Sequence, residues 1–186
     1  MGFVLIGMLS GVIDGNTLSA ANAYSSAMFY MISYVLTTLG VFGVILLLAR
    51  EGFESEEISD LAGLNQRNPL YAAVMAICLF SLAGVPPLVG FFAKLSVLQA
   101  LVASEQTSAI LLAVFAVMMS LVGAFYYLRV IKVMYFDQPL TVSTVSADQH
   151  VKVVLIINGG LVLLLGLLPG GLMSLCAVAV VQALGT

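Results

Sequence analysis

Residues 84–94 read Gly-Val-Pro-Pro-Leu-Val-Gly-Phe-Phe-Ala-Lys, and they interrupt an otherwise apolar run that covers positions 69–103. The two adjacent prolines lack amide donors, and their rings clash with the carbonyl groups of Leu82 and Ala83, four residues earlier. A regular helix cannot continue through this point, so the sequence predicts a discontinuous helix. The residues assigned to the break are Gly84, Pro86, Pro87 and Gly90.

The composition restricts the class of protein. Of the 186 residues, 62% are hydrophobic and only 8% are charged, and the mean hydropathy is +1.16. An ordinary soluble domain has about 25% charged residues, so this chain cannot coat a soluble globule. Six Lys and Arg with a net charge of −3 provide no basic patch for nucleic acid, and disorder requires low hydrophobicity. What remains is a membrane protein whose backbone N–H and C=O groups form hydrogen bonds with one another inside helices.

We predict an all-α membrane protein, a helical bundle of about four full spans in a single transmembrane domain over residues 1–186. The first apolar stretch would reach roughly 20 Å as a helix, too short for a hydrocarbon core of about 30 Å. It is interpreted as a partial helix, and the chain as a fragment of a longer membrane protein. The predicted elements are the partial helix 1–13, the spans 23–49, 69–103 (broken), 108–136 and 151–168, and a kinked apolar tail at 172–184.

Basic residues indicate whether the broken segment 69–103 crosses the membrane once or twice. Lys and Arg occur in the loops 50–68 and 129–152, and none occurs in the other loops or after residue 168. A single crossing puts both basic loops on one side, which the positive-inside rule assigns to the cytoplasm. The carboxyl terminus is then on the outer side. A straight helix over this segment would measure ~52 Å, so a single crossing must be broken, as in many transporters.

Lys94 is the basic residue that lies inside a predicted span rather than at its end. It precedes Ala103 by nine residues, which places it roughly 14 Å from the outer face and near the midplane. A charged lysine there costs on the order of 3 kcal/mol on insertion scales. Because burial penalises the ammonium form relative to the neutral amine, we predict that Lys94 carries protons. The alternative is a lysine that extends to the interface or caps the carbonyl groups freed at the break.

A stripe of hydroxyl-bearing residues follows one face of the span 23–49. A polar stripe on a membrane helix is expected to face protein or water, so we interpret it as a candidate water path toward Lys94. Helix packing through small and hydroxylated residues explains the stripe at least as well, and Gly40 and Gly43 favour that alternative. The residues assigned to the path are Ser26, Tyr30, Ser33 and Thr37.

No metal site is predicted. His150 is the only histidine in the chain, which removes most zinc and nucleophile–base arrangements. Cys78 and Cys176 lie in separate apolar runs and are interpreted as buried packing thiols.

Several segments resemble the subunit N family of proton-pumping NADH–quinone oxidoreductases, a family of antiporter-like membrane subunits. The resemblance extends over nearly the whole chain and is most specific around Lys94. It implies an inverted-repeat fold with two five-helix repeats, each containing a broken helix, of which this chain would hold most of the second. The segments that carry the resemblance are Asp60–Leu64, Arg67–Leu70, Leu79–Lys94 and Tyr126–Tyr135, with the opening Met1–Phe3.

The resemblance also implies roles for individual residues. Lys94 matches the lysine on the family's second broken helix, which is interpreted as the terminal proton carrier toward the outer side. The span 23–49 lacks the central lysine of sister subunits, and the glutamate–lysine pair of the first repeat is absent. This chain would therefore hold the outward half of a proton channel.

The implied setting is a translocase in the inner membrane of a bacterium. Other membrane subunits, the lipid bilayer and protons would be its partners, and nucleic acid would not. No cofactor or redox centre is expected in this chain, because other subunits would bind NADH, flavin, iron–sulfur clusters and quinone. Two alternatives stay open: a subunit of a cation/proton antiporter or membrane-bound hydrogenase, and a purely structural membrane bundle.

Overall fold

The computed structural model describes residues 1–13, 17–49, 57–139 and 149–185. Over these residues the chain forms helices and no strand, as the composition predicts. The helices are α1 (Gly2–Ile13), α2 (Thr17–Ala49), α3 (Leu64–Arg67), α4 (Pro69–Ala83), α5 (Val89–Val102), α6 (Thr107–Phe136), α7 (Gln149–Leu167) and α8 (Pro169–Leu184), with a 3₁₀ turn at Ile58–Leu61.

Three of these helices, α2, α6 and α7, are each long and apolar enough to cross a membrane unaided. The predicted break is confirmed, because α4 ends at Ala83 and α5 begins at Val89. At about 1.5 Å per residue each half measures roughly 20 Å, so neither half crosses alone. The predicted fold class, an all-α bundle with one discontinuous helix, is therefore confirmed.

Helix α2 is the centre of the bundle, since it packs against α1, α4, α5, α7 and α8. Its length of 33 residues exceeds the predicted span, because it begins at Thr17 instead of position 23. Leucine and alanine between those positions are good helix formers, and no proline or glycine stops the helix there. Phe29 and Val44 are fully buried on this helix and belong to the main apolar core.

The tail predicted as kinked and apolar at 172–184 is part of α8, which begins at Pro169. Proline is favoured at the first position of a helix because its missing amide would be unpaired there in any case. The helix packs on α2 and buries Cys176.

One hydrogen bond bears on the path of the broken segment. The amide of Gly63, before α4, donates to the carbonyl oxygen of Val133, near the end of α6, at 3.2 Å. Because these two groups are hydrogen-bonded, the segment before α4 and the last turn of α6 lie at the same end of the bundle, although α4, α5 and most of α6 separate them in the sequence. A single crossing of 69–103, followed by the return of α6, requires this arrangement.

The predicted basic loops are described in part. The loop 50–68 contains the 3₁₀ turn Ile58–Leu61 and α3. Because Leu64 in α3 is fully buried, this part of the loop packs on the bundle. Arg50, the acidic residues up to Glu56 and the segment 140–148 lie outside the described residues.

Candidate functional site

The end of α4 explains how the chain stops and turns at the break. Gly84 has φ +88°, a left-handed conformation that favours glycine. Its amide donates to the carbonyl of Ser81 at 3.0 Å, and the amide of Val85 donates to the carbonyl of Phe80 at 3.0 Å. This pair of bonds is the Schellman motif. It pairs the carbonyls of Phe80 and Ser81, and it leaves the next two carbonyls of the chain, those of Leu82 and Ala83, for other donors.

Lys94 donates to these two remaining carbonyls. Its Nζ lies 2.9 Å from the oxygen of Leu82 and 3.1 Å from that of Ala83. These are the groups whose helical partners the two prolines remove. The break therefore supplies acceptors that an unbroken helix would not offer to an amine in an apolar environment.

A third partner of the amine comes from another helix. Ser120 on α6 accepts a hydrogen bond from Lys94 Nζ at 2.8 Å. The ring of Phe3 on α1 lies 5.8 Å from the same nitrogen, within range of a cation–π interaction. No carboxylate of the described residues forms an ion pair with Lys94, and the one ion pair between described residues joins Lys132 and Asp137.

Gly90 allows α5 to approach α4 closely. The amide of Gly90 donates to Ser81 Oγ at 3.0 Å, which satisfies one of the unpaired donors in the first turn of α5. A Cβ atom at Gly90 would lie 2.7 Å from the carbonyl carbon of Ser81, too close for any larger residue. Gly90 therefore lies just after the break, as the second residue of α5, and its lack of a side chain allows the close contact with Ser81.

Helix α7 packs directly against the backbone of the break. A Cβ atom at Gly166 would lie 2.6 Å from the amide nitrogen of Val89 and 2.7 Å from the carbonyl carbon of Leu88. The sequence analysis did not identify Gly166, because a glycine inside an apolar run carries no signal of which neighbour it faces.

Three of the four residues assigned to the water path meet Lys94 at a narrow cavity, and their neighbours there include Ser81 and Gly90. The cavity offers about 20 Å³ to the centre of a water molecule, which is room for about one. The fourth residue, Ser26, is buried but does not line this cavity. The three that line it are Tyr30, Ser33 and Thr37.

Two hydroxyl groups of this stripe donate to their own helix. Ser33 Oγ bonds to the carbonyl of Phe29 at 2.8 Å, and Thr37 Oγ1 bonds to that of Ser33 at 2.8 Å. A hydroxyl that donates in this way keeps acceptor lone pairs for a water molecule. The arrangement fits the packing interpretation of the stripe and also leaves acceptors facing the narrow cavity.

A second, wide cavity lies between α1, α2 and α6, with Lys94 at its wall. Its volume is about 450 Å³, and its lining includes Ser120, Tyr127 and Tyr34. Lys94 thus borders both cavities, while Ser33 and Thr37 line only the narrow one and Ser120 only the wide one.

Asn158 forms a second polar contact, which the sequence analysis also missed. Its Nδ2 donates to the carbonyl of Leu36 on α2 at 3.0 Å, and Cys78 Sγ on α4 lies 3.8 Å from its Oδ1. A Cβ atom at Gly40 would lie 2.6 Å from Cys78 Sγ. The sequence signal that could have identified this contact is a single asparagine within an apolar membrane segment, where a polar side chain needs a partner.

Both cysteines are free and buried, which confirms their interpretation as packing thiols. Across the part of the chain that the structure describes, no group of three or more His, Cys, Asp or Glu side chains is placed to hold a metal ion.

Comparison with curated proteins gives relatives over nearly the whole chain. NADH-quinone oxidoreductase subunit N from Polaromonas naphthalenivorans is 65% identical over 179 residues, covering 95% of this chain and 36% of that protein. Subunit N from Herminiimonas arsenicoxydans is 56% identical and covers 100% of this chain and 37% of that protein. The chain thus spans little more than a third of the length of these relatives, and the resemblance to the subunit N family is confirmed.

Solved structures give the same fold. A chain of respiratory complex I from Thermus thermophilus matches with a TM-score of 0.67 at 22% identity, covering 92% of this chain and 43% of that one. A chain of the Mrp complex from Dietzia matches with a TM-score of 0.71 at 19% identity, covering 87% of this chain and 38% of that one.

A family model described as "NADH:quinone oxidoreductase/Mrp antiporter, TM" matches residues 1–120. This range contains the break, Lys94 and the hydroxyl stripe of α2, together with the first half of α6. Since it covers well over half of the chain, the match establishes membership: the chain belongs to the NADH:quinone oxidoreductase/Mrp antiporter transmembrane family.

Proposed function

We propose that this chain forms part of a proton-translocating membrane subunit of an NADH–quinone oxidoreductase. Within it, the chain carries the outward half of a proton channel, and Lys94 is the proton carrier. The identities of 65% and 56% to proteins named subunit N support the choice of complex.

The observation that carries the proposal is the position of the Lys94 amine. It is held at a helix break by two backbone carbonyls, and it borders both a narrow cavity and a wide cavity. A proton carrier needs contact with water on two sides and a site where both its charged and neutral forms are stable. The freed carbonyls stabilise the charged form, because hydrogen bonds to a charged donor are stronger than neutral ones.

The narrow cavity is the entry side in this proposal. Tyr30, Ser33 and Thr37 face it with Lys94, and one water molecule there would connect their oxygens to the amine. Ser26 lies on the same helix but outside this cavity, so it contributes to the path only if water extends along α2.

The setting follows from the same proposal. The basic segments 50–68 and 129–152 face the cytoplasm of a bacterium, and the carboxyl terminus faces the outer side of the inner membrane. Partners are the other membrane subunits, the lipid bilayer and protons. NADH, flavin, iron–sulfur clusters and quinone are bound by other subunits of the complex.

The test is Lys94→Met in the complete membrane subunit, assembled in its complex in inverted membrane vesicles. Methionine keeps an unbranched side chain but cannot hold a proton. We expect fewer protons pumped per electron and slower NADH oxidation, measured by a pH-sensitive dye and by absorbance.

The matched control is Lys152→Met. Lys152 is an exposed lysine near the start of α7, and its substitution should leave pumping and oxidation at wild-type values. Wild-type pumping per electron in the assembled Lys94→Met complex would remove the proton-carrier role.

A second candidate role is purely structural, and one observation favours it: Lys94 already caps the carbonyls of Leu82 and Ala83. In that role the charge matters and release of the proton does not. Lys94→Arg separates the two roles, because the guanidinium donates hydrogen bonds but stays protonated.

A further inference from the structure

We propose that Ser120 is the reversible hydrogen-bond partner of Lys94, and that the proton leaving the amine passes through its hydroxyl toward the wide cavity. This inference rests on the proposed role of Lys94 as a proton carrier and adds the residue and the direction of release.

The charged amine has one acceptor for each of its donors. An ammonium group has three N–H donors. Lys94 Nζ has three acceptors at hydrogen-bond distance: the carbonyls of Leu82 and Ala83 at 2.9 and 3.1 Å, and Ser120 Oγ at 2.8 Å. The charged form is therefore fully satisfied.

The neutral amine has different needs. After losing a proton it keeps two N–H donors and gains one lone pair that must accept a hydrogen bond. The two backbone carbonyls can only accept, so they can hold the two remaining N–H groups but cannot serve the lone pair. The hydroxyl of Ser120 can rotate and donate. Ser120 is thus the one of the three partners that suits both forms of Lys94.

The position of Ser120 gives the direction. It lies on α6 at the wall of the wide cavity and does not line the narrow cavity beside Ser33 and Thr37. Ala116 and Leu112, four and eight residues earlier on the same face of α6, also line this cavity, and they lead toward the start of α6 at Thr107, which the proposed topology places on the outer side. Entry through the narrow cavity and release past Ser120 therefore use two different cavities that meet at Lys94.

The transfer step balances without any change of oxidation state. One Nζ–H bond of the ammonium breaks as a new Oγ–H bond forms. The original hydrogen of the Ser120 hydroxyl passes to a water molecule in the wide cavity, which becomes hydronium. The hydroxyl is restored, and it then donates to the neutral amine.

The test compares Ser120→Ala, Ser120→Thr and Ser96→Ala in the complete subunit assembled in its complex. We expect alanine to slow proton pumping and coupled NADH oxidation by about tenfold or more, because a relay group is removed. Threonine keeps the hydroxyl and should stay within about twofold of wild type, a rescue that a role in packing alone would not produce. Ser96 is the matched control, since its hydroxyl bonds to the carbonyl of Ala93 in its own helix.

The outcomes separate this inference from the proposed function. Wild-type rate and pumping ratio in Ser120→Ala, with Lys94→Met impaired, would overturn the inference and leave the role of Lys94 standing. Equal impairment in the alanine and threonine variants would also overturn it, because the hydroxyl would then not be the cause. Normal pumping in Lys94→Met would overturn both.

Discussion

Lys94 and Asn158 are both polar side chains within apolar helices, but they lie in different backbone surroundings. Lys94 faces a helix break and bonds to two carbonyls that have lost their helical partners. Asn158 lies between continuous helices and bonds to the carbonyl of Leu36, inside α2. The comparison shows that a break provides acceptors for a cation, whereas intact helices provide a place for a neutral amide.

The two regions also differ in the cavities that they border. The Lys94 amine borders a narrow cavity and a wide one. Asn158 lines neither of these cavities, and it packs against Gly40 and Cys78. The contacts of Asn158 favour a packing role, so we expect the two regions to respond differently to substitution.

The largest effect on stability is expected from Gly90→Ala. The added methyl group would lie 2.7 Å from the carbonyl carbon of Ser81, a backbone atom of α4 that can move away only if the helix shifts. We expect a loss of about 3 kcal/mol and a marked fall in assembled complex, measured by blue-native electrophoresis and by thermal inactivation.

Gly160→Ala is the control for this change. Nothing lies within 4 Å of a Cβ atom at Gly160, so the same substitution should be neutral or stabilising by up to about 1 kcal/mol. If Gly90→Ala assembled as well as this control, the close contact between α4 and α5 would be wrong.

A smaller effect is expected from Asn158→Ala. The variant loses the hydrogen bond to Leu36, and such bonds between membrane helices average about 0.6 kcal/mol. We expect a small decrease in the thermal inactivation midpoint of the complex and an unchanged number of protons pumped per electron. A pumping defect comparable to that of Lys94→Met would erase the distinction between the two regions.

The break was predictable because its cause is local. Two prolines at fixed spacing from Leu82 and Ala83 remove donors whatever the rest of the fold does. The same reasoning indicated that Lys94 lies near those carbonyls, since a few residues of helix separate them. The membrane class followed from composition alone, because 8% charge excludes a soluble surface.

The remaining features depend on which helices meet, and a single sequence does not show this. Ser120 lies 26 residues from Lys94 on a helix whose apolar residues give no sign of the facing neighbour. Gly166 contacts the break only because α7 returns beside it. The start of α2 at Thr17 was missed because the apolar run, rather than helix propensity, was used to set the boundary.

The most direct test of the proton-carrier role of Lys94 is the number of protons pumped per electron in Lys94→Arg, assembled in the complete complex and measured in vesicles beside wild type. Arginine keeps a positive donor near the carbonyls of Leu82 and Ala83 but does not release a proton. We expect assembled complexes whose pumping ratio falls as it does in Lys94→Met. A wild-type ratio in the arginine variant would show that the site needs only a fixed charge, and it would contradict the proposed proton carrier.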